Sequence, residues 1–413
     1  MLTLTSRWRI ISAIGLGAVA WHSQSTGALA EGCPPACVID DQGRTLRLRQ
    51  LQVFFRHGAR TPIHSVPGNQ NPSASWDADM CQSLPDLERT LRITDANGAP
   101  RPTNLANEKQ KLSMLPGGCH LGCLTKTGRQ DVFELGRRLR TRYMEEIAFL
   151  PTDYNSEQVT VRSTNIERTI ESARMVVSGL FGTIGEDRAT IARLRHPMVA
   201  RAYHARNDQT QSEFTAQMAR LLRVGEEEIH YVGLRDNFVA RLAHNKSIPP
   251  GITRTMMRRI EGYAVRDVVA LFQDRPEETL RLTCGLVIKD ILNNMQHMQE
   301  HPLQSPPLRL YSAHDTTLMP LLLAFGAFDG HWPPYAADIT LELFEDQHQH
   351  GDYYVRALYC GEIIRMPNQE SDFVPYKVFH AAMDRLVPKN LTAECRLQNN
   401  TGANLGDGDG SSF

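Results

Sequence analysis

The chain has 413 residues, and its 45 Lys+Arg against 46 Asp+Glu leave a formal charge of -1. That balance supplies no basic field for nucleic acid or for an anionic membrane surface. With 41% hydrophobic and 22% charged residues it suits a soluble globular protein, long enough for a sizeable core and two subdomains.

Residues 1–30 read as a leader. They hold no Asp or Glu, carry Arg7 and Arg9, run apolar from Ile10 to Ala20, and reach Ala28-Leu29-Ala30 before Glu31. This is the layout of a secretory signal peptide, with an apolar run too short for a comfortable span. The same features also suit an organelle presequence or an uncleaved anchor. No later segment is long and apolar enough to cross a bilayer, so no stable membrane span is expected in the mature chain. The even count of 8 cysteines permits disulfides behind a leader, although sequence alone does not sort their pairing. CPPAC (33–37) and CHLGC (119–123) lack the C-x2-C spacing of zinc sites, so no metal is expected. Sequons stand at Asn245, Asn390 and Asn399.

The first strand is LRQLQVFF, which runs into Arg56-His57-Gly58. Val132, Leu135, Leu139 and Tyr143 then mark a helix that packs on a sheet. A second strand, QVTVRST (158–164), leads into a helix with Ile166, Ile170, Ala173, Val177 and Leu180 on one stripe. Between about 190 and 300 the pattern is helical. Phe214, Met218 and Leu221 mark a short helix, Met257, Ile260, Ala264, Val268 and Leu271 a longer one, and Leu280, Cys284, Val287, Ile291 and Met298 another. The last begins at Pro276 with Glu277 and Glu278 in its first turn. A third strand-helix unit, LRLYSAHDTT into LMPLLLAFGAF, precedes a further strand, ITLELFE.

Strands alternating with helices argue for an α/β fold with a mostly parallel sheet flanked by helices. The expected division places a discontinuous catalytic domain at 31–185 and 301–396. A mainly helical cap is expected at 186–300 with part of 63–120. The tail 397–413 is Gly-rich and acidic without apolar periodicity, so it is expected to be disordered.

Ligands of open α/β sheets bind beyond the carboxyl ends of the strands. The first unit delivers Arg56, His57 and Arg60 there, the second Arg162, and the third His314 and Asp315. One charged strand end is ordinary surface, but three converging on Arg, His and Asp point to phosphoryl transfer. That reaction needs electrostatic stabilisation of equatorial oxygens, and the planar, permanently charged guanidinium supplies it. A histidine can accept the phosphoryl group and a carboxylic acid can protonate the leaving alkoxide. Cations around His57 keep its imidazole neutral, whereas Asp315 must be protonated with substrate bound, so an acidic pH optimum is expected.

RHGARTP (56–62) matches the RHGxRxP signature of the histidine acid phosphatases, and AHD (313–315) resembles their second histidine and proton donor. RSTNIERTIESA (162–173) is similar to their third block. The resemblance runs from about residue 46 to 395 and is strongest to a branch that acts on lysophosphatidic acid. It implies a phosphoglycerate-mutase-like fold and a phosphohistidine intermediate without cofactor or metal. His57 would be the phosphoryl acceptor, and Arg56, Arg60, Arg162 and His314 would hold the phosphate. Asp315 would be the acid. RDNFVARLAHNKSIPP is similar to a cap segment and puts His244 and Asn245 forward for the substrate cavity. The implied partner is a small phosphate monoester of the lysophospholipid class. The alternative is a phytase or broad-specificity acid phosphatase, for which the near-neutral composition offers no support. A phosphoglycerate mutase relative would carry an acidic residue where Ala59 stands and lack the His-Asp pair; a catalytically dead binding protein would not need every reactive residue present. The leader favours the secretory pathway, while the branch resembled is mitochondrial. Nothing in the sequence sets an oligomeric state.

Overall fold

A computed structural model describes residues 35–68, 74–82, 93–95, 97–182, 191–193 and 209–395. The leader, the acidic tail, Cys33 and Asn399 lie outside the described residues.

The longest strand, β2 (Thr45–Arg56), lies between β5 (Leu308–Ala313), parallel to it, and β6 (Asp338–Asp346), antiparallel. β3 (Val159–Ser163) and β4 (Ile191–Arg193) extend the parallel half past β5. β7 (Tyr353–Tyr359), β8 (Glu362–Ile364) and β9 (Val374–Pro375) extend the antiparallel half, and β1 (Cys37–Ile39) pairs with β2. The order β4-β3-β5-β2-β6-β7-β8 makes a mixed sheet. The expected parallel character belongs to β4-β3-β5-β2, whose strand ends carry the reactive residues.

Strand alternation explains why the sheet is covered on both faces. Val53 and Phe55 face α2 (Lys126–Arg140) and α3 (Glu167–Phe181), packing with Val132, Leu135, Ile170 and Val177. These two helices cross backbone to backbone, because a Cβ on Gly136 would fall 2.3 Å from the Val176 carbonyl oxygen. Phe54 points the other way and stacks on Tyr311 with ring centroids 4.3 Å apart. That face is covered by α7 (Pro276–Glu300), α8 (Asp315–Ala324) and α9 (Tyr376–Asp384).

The helical stretch expected as one insertion divides by its packing. Leu280, Cys284, Val287, Ile291 and Met298 of α7 all enter the sheet's own core. A separate core instead joins α4 (Gln209–Leu222), α5 (Tyr231–Ala243) and α6 (Arg254–Val269) through Phe214, Met218, Phe238 and Ile260. In α4 the inward residue is Leu222 rather than Leu221. Met319 and Trp332 complete this cap core from the catalytic half. A short helix, α1 (Leu105–Leu112), and a Cys81–Cys119 disulfide organise the loops between β2 and α2. Among the described residues no helix is long and apolar enough to cross a membrane.

Candidate active site

β2 ends at Arg56, and the next residues are fixed from several sides. The His57 N–H donates to the Ala313 carbonyl at the end of β5 (3.1 Å), and the His57 carbonyl accepts from Ala336 (3.2 Å). A Cβ on Gly58 would stand 1.9 Å from the Gly128 carbonyl oxygen, so only glycine lets this loop reach α2. The Gly58 N–H donates to Ser172 Oγ (3.3 Å), the Ala59 N–H to Asp131 Oδ2 (3.1 Å), and Thr61 Oγ1 to the His120 carbonyl (2.8 Å).

The His57 ring is buried with Nδ1 2.9 Å from the Gly58 carbonyl oxygen. A carbonyl can only accept, so Nδ1 carries the hydrogen and Nε2 keeps its lone pair. Burial, followed by the charges of Arg168, Arg60 and Arg56, drives the imidazole well below its ordinary value and keeps it neutral. This is the protonation and tautomer a nitrogen nucleophile requires.

Three buried guanidinium groups face that nitrogen's surroundings. Arg56 donates to the Pro333 carbonyl (2.7 Å), pairs with Asp315 (2.8 Å) and lies 4.3 Å over the Tyr335 ring. Arg60 donates to the Thr61 carbonyl (3.0 Å) and to Asp236 Oδ1 (2.7 Å), while Asp236 Oδ2 accepts from the Ile63 and His64 N–H groups. Arg168 donates to Gln110 Oε1 (3.1 Å); burial and then Arg60 pull it down to about 9. The Nε of each is buried with no partner among the described residues. The charges of all three act on His57, and buried guanidinium groups gathered about a neutral imidazole suit an oxyanion.

β5 and α8 bring in the remaining pair. His314 is the N-cap of α8, its ring 5.5 Å from that of His57 and its Nε2 2.8 Å from Thr164 Oγ1. Asp315 follows as the first helical residue and accepts from the Trp332 indole N–H at 2.8 Å. Burial pushes its carboxyl up, but Arg56, the indole N–H and Arg60 outweigh that and hold it well below the usual carboxylate range. Asp315 is therefore a carboxylate beside Arg56, and a proton reaches it only when that pair loosens.

The structure brings together Arg56, His57, Arg60, His314 and Asp315. It does not bring Arg162 there. Arg162 is in register with Tyr311, and Tyr311 with Phe54, two residues short of Arg56 or about 7 Å back along the sheet. Its guanidinium lies toward α7, 3.1 Å from Asp290. Arg168, in the first turn of α3, takes the place expected for it. A cation in a helix's first turn opposes the helix dipole, and that anomaly was the available signal. His244 and Asn245 are also relocated. His244 Nδ1 donates to the Ala240 carbonyl (2.6 Å), so Nε2 accepts from the Thr125 hydroxyl (2.7 Å), while the Thr125 N–H donates to the Ala59 carbonyl (3.2 Å). His244 thus braces the loop from behind, and Asn245 is exposed at φ 54° where α5 ends. The useful part of that segment is its start, Arg235-Asp236. Trp332 and Tyr335, flanking a Pro-Pro pair, were likewise missed. Among the described residues no group of His, Cys, Asp or Glu is arranged to hold a metal ion.

Residues 47–226 and 262–360 match the histidine phosphatase superfamily (branch 2). Human lysophosphatidic acid phosphatase type 6 is 31% identical over 85% of this chain and 86% of its own length. Rat prostatic acid phosphatase is 24% identical over 88% of this chain and 93% of its own length. The apo structure of Hafnia alvei phytase shares the fold at a TM-score of 0.55 and 14% identity, over 85% of this chain and 98% of that one.

Proposed function

The chain belongs to the histidine phosphatase superfamily, branch 2, and from that premise we propose that it hydrolyses lysophosphatidic acid to monoacylglycerol and phosphate through a phosphohistidine on His57. It is a hydrolase of phosphate monoesters. The observation that carries the mechanism is the neutral His57, its Nδ1–H held by the Gly58 carbonyl and its Nε2 lone pair left to attack, under the charges of Arg56, Arg60 and Arg168.

In the first step Nε2 attacks phosphorus, the ester P–O bond breaks, and Asp315 gives its proton to the departing oxygen. Arg56, Arg60 and Arg168 stabilise charge on the equatorial oxygens. In the second step water attacks phosphorus while the Asp315 carboxylate takes its proton, the P–N bond breaks with its electron pair returning to Nε2, and Asp315 passes the proton on to the departing phosphate. Asp315 first acquires a proton because the incoming phosphate draws Arg56 away from it and brings negative charge close. At acidic pH the substrate monoanion supplies that proton.

Two features support a lipid monoester over a polyphosphate. The relative named for lysophosphatidic acid aligns over most of both chains. In addition, Leu105 (82% exposed) and Leu112 (84%) share the outer face of α1, with Met114 (61%) just beyond. The inner face of that same helix holds Arg168 through Gln110. Apolar side chains this exposed are suited to an acyl chain emerging beside the phosphate. The Cys81–Cys119 bridge supports a secretory route for residues 1–30. The deciding experiment compares kcat/KM for lysophosphatidic acid and inositol hexakisphosphate. Preference for the lipid is expected, and preference for the hexakisphosphate would make this a phytase.

A further inference from the structure

Beyond the three phosphate arginines, a fourth buried guanidinium stands at the site. Arg235, on α5, is 5% exposed, and its Nε has no partner among the described residues. Its Cζ lies 4.6 Å from the centre of the Trp332 ring, and the indole N–H of Trp332 donates to Asp315. Arg235 is thus separated from the acid by one aromatic ring. Since Asp315 protonates the leaving oxygen, the alcohol half of the ester departs on this side. Arg235 lies on the Trp332 side of Asp315, whereas the charges of Arg56, Arg60 and Arg168 act on His57.

Glu261, on α6, sets the chemistry of this position. Its Oε1 is 3.5 Å from Arg235 Nη2, long for a hydrogen bond, and its side chain is 37% exposed. A loosely associated guanidinium and carboxylate offer one donor and one acceptor side by side. A hydroxyl meets both at once: its oxygen accepts from Arg235 and its hydrogen goes to Glu261. A second phosphate would meet Arg235 but would also be set against the negative charge of Glu261.

We propose that Arg235, with Glu261, is the specificity-determining residue of this phosphatase and reads a hydroxyl on the leaving alcohol, as in a glycerol monoester. The inference rests on Asp315 acting as the leaving-group acid; it does not depend on the acyl chain. A site built to bond a hydroxyl discriminates strongly against the analogue that lacks it.

The test compares glycerol 3-phosphate with propyl phosphate, two alkyl monoesters that make the same demand on Asp315 and differ in hydroxyl groups. For Arg235→Met the ratio of their kcat/KM values should fall at least about tenfold relative to wild type, the scale of a hydrogen bond to a charged group. Arg235→Lys should recover part of it. Loss of activity on both esters in parallel, with the ratio unchanged, would overturn the proposal by showing Arg235 to be structural. Should Arg235→Met not fold, Glu261→Gln decides: the ratio must fall about threefold or more, and an unchanged ratio overturns the assignment. A wild type that takes glycerol 3-phosphate but not lysophosphatidic acid would remove the lipid assignment, and the drop in ratio for Arg235→Met would still support the hydroxyl reader.

Discussion

Arg56 Nη2 stands 2.8 Å from Oδ2 of Asp315, so a phosphate holder and the proton donor are each other's partner. Substrate must break this pair, and doing so converts a carboxylate into an acid where the leaving oxygen will be. Asp315→Asn should therefore lower kcat/KM, which reports the first step alone, by about 10²–10⁴-fold on alkyl phosphates, the usual share of general acid catalysis. On p-nitrophenyl phosphate, whose phenolate departs without a proton, the loss should be far smaller. Equal losses on the two esters would mean that Asp315 serves binding instead.

The exchange of Arg162 for Arg168 gives a direct contrast. Arg168→Ala removes a buried donor aimed at the phosphate and should lower kcat/KM by about 10²–10³-fold. Arg162→Ala breaks a half-exposed pair with Asp290, which is worth at most about 1 kcal/mol, and should leave turnover within about twofold. Steady-state kinetics on one soluble monoester checks both.

How far the sequence discloses this site follows from which features are local. A strand ending in Arg56-His57-Gly58 and another ending in His314-Asp315 are local patterns, and their convergence follows from parallel strand topology. Arg162 and Arg168 sit in one block, and choosing between them needs the register of β3 against β5, which a single sequence does not carry. Arg235 reaches the site from the cap helix α5, and Trp332 and Tyr335 from the loop after α8, so none of the three stands at a strand end where the pattern would mark it. The apolar stripe of α7 was legible, but not which half of the molecule it covers. The partner of Cys119 is Cys81, 38 residues away, a pairing that no spacing rule identifies.

The pH dependence has a definite sign. His57 is held neutral well below 6.5, so kcat/KM should show no loss from its protonation as pH falls through that value. The proton on Asp315 arrives with the substrate monoanion, whose second ionisation lies near pH 6, so kcat/KM should decline above about pH 6. A profile still climbing at pH 8 would contradict the assigned roles.

Asp131 has a separate pH effect on stability. Burial pushes its carboxyl from 3.8 up to about 6, against the opposing hydrogen bond from the Ala59 N–H. Because the folded value is the higher one, the folded state binds the proton better, and stability is lost as pH rises from about 4 through 6. Asp131→Asn keeps an acceptor for Ala59 and removes the charge. Its stability relative to wild type should grow between pH 4 and pH 7, by up to about 3 kcal/mol. Thermal melts at both pH values check this, and a difference independent of pH would show that Asp131 is already solvated.

The central claim is that His57 carries the phosphoryl group. Rapid acid-free quenching of enzyme mixed with ³²P-labelled monoester should yield labelled protein that loses its phosphate in acid and keeps it in alkali, as a phosphoramidate does. The label should be absent from His57→Ala and should accumulate in Asp315→Asn given labelled p-nitrophenyl phosphate, whose first step needs no acid while the second lacks its base. Stoichiometric label on His57→Ala, or full turnover by that variant, would place the nucleophile elsewhere.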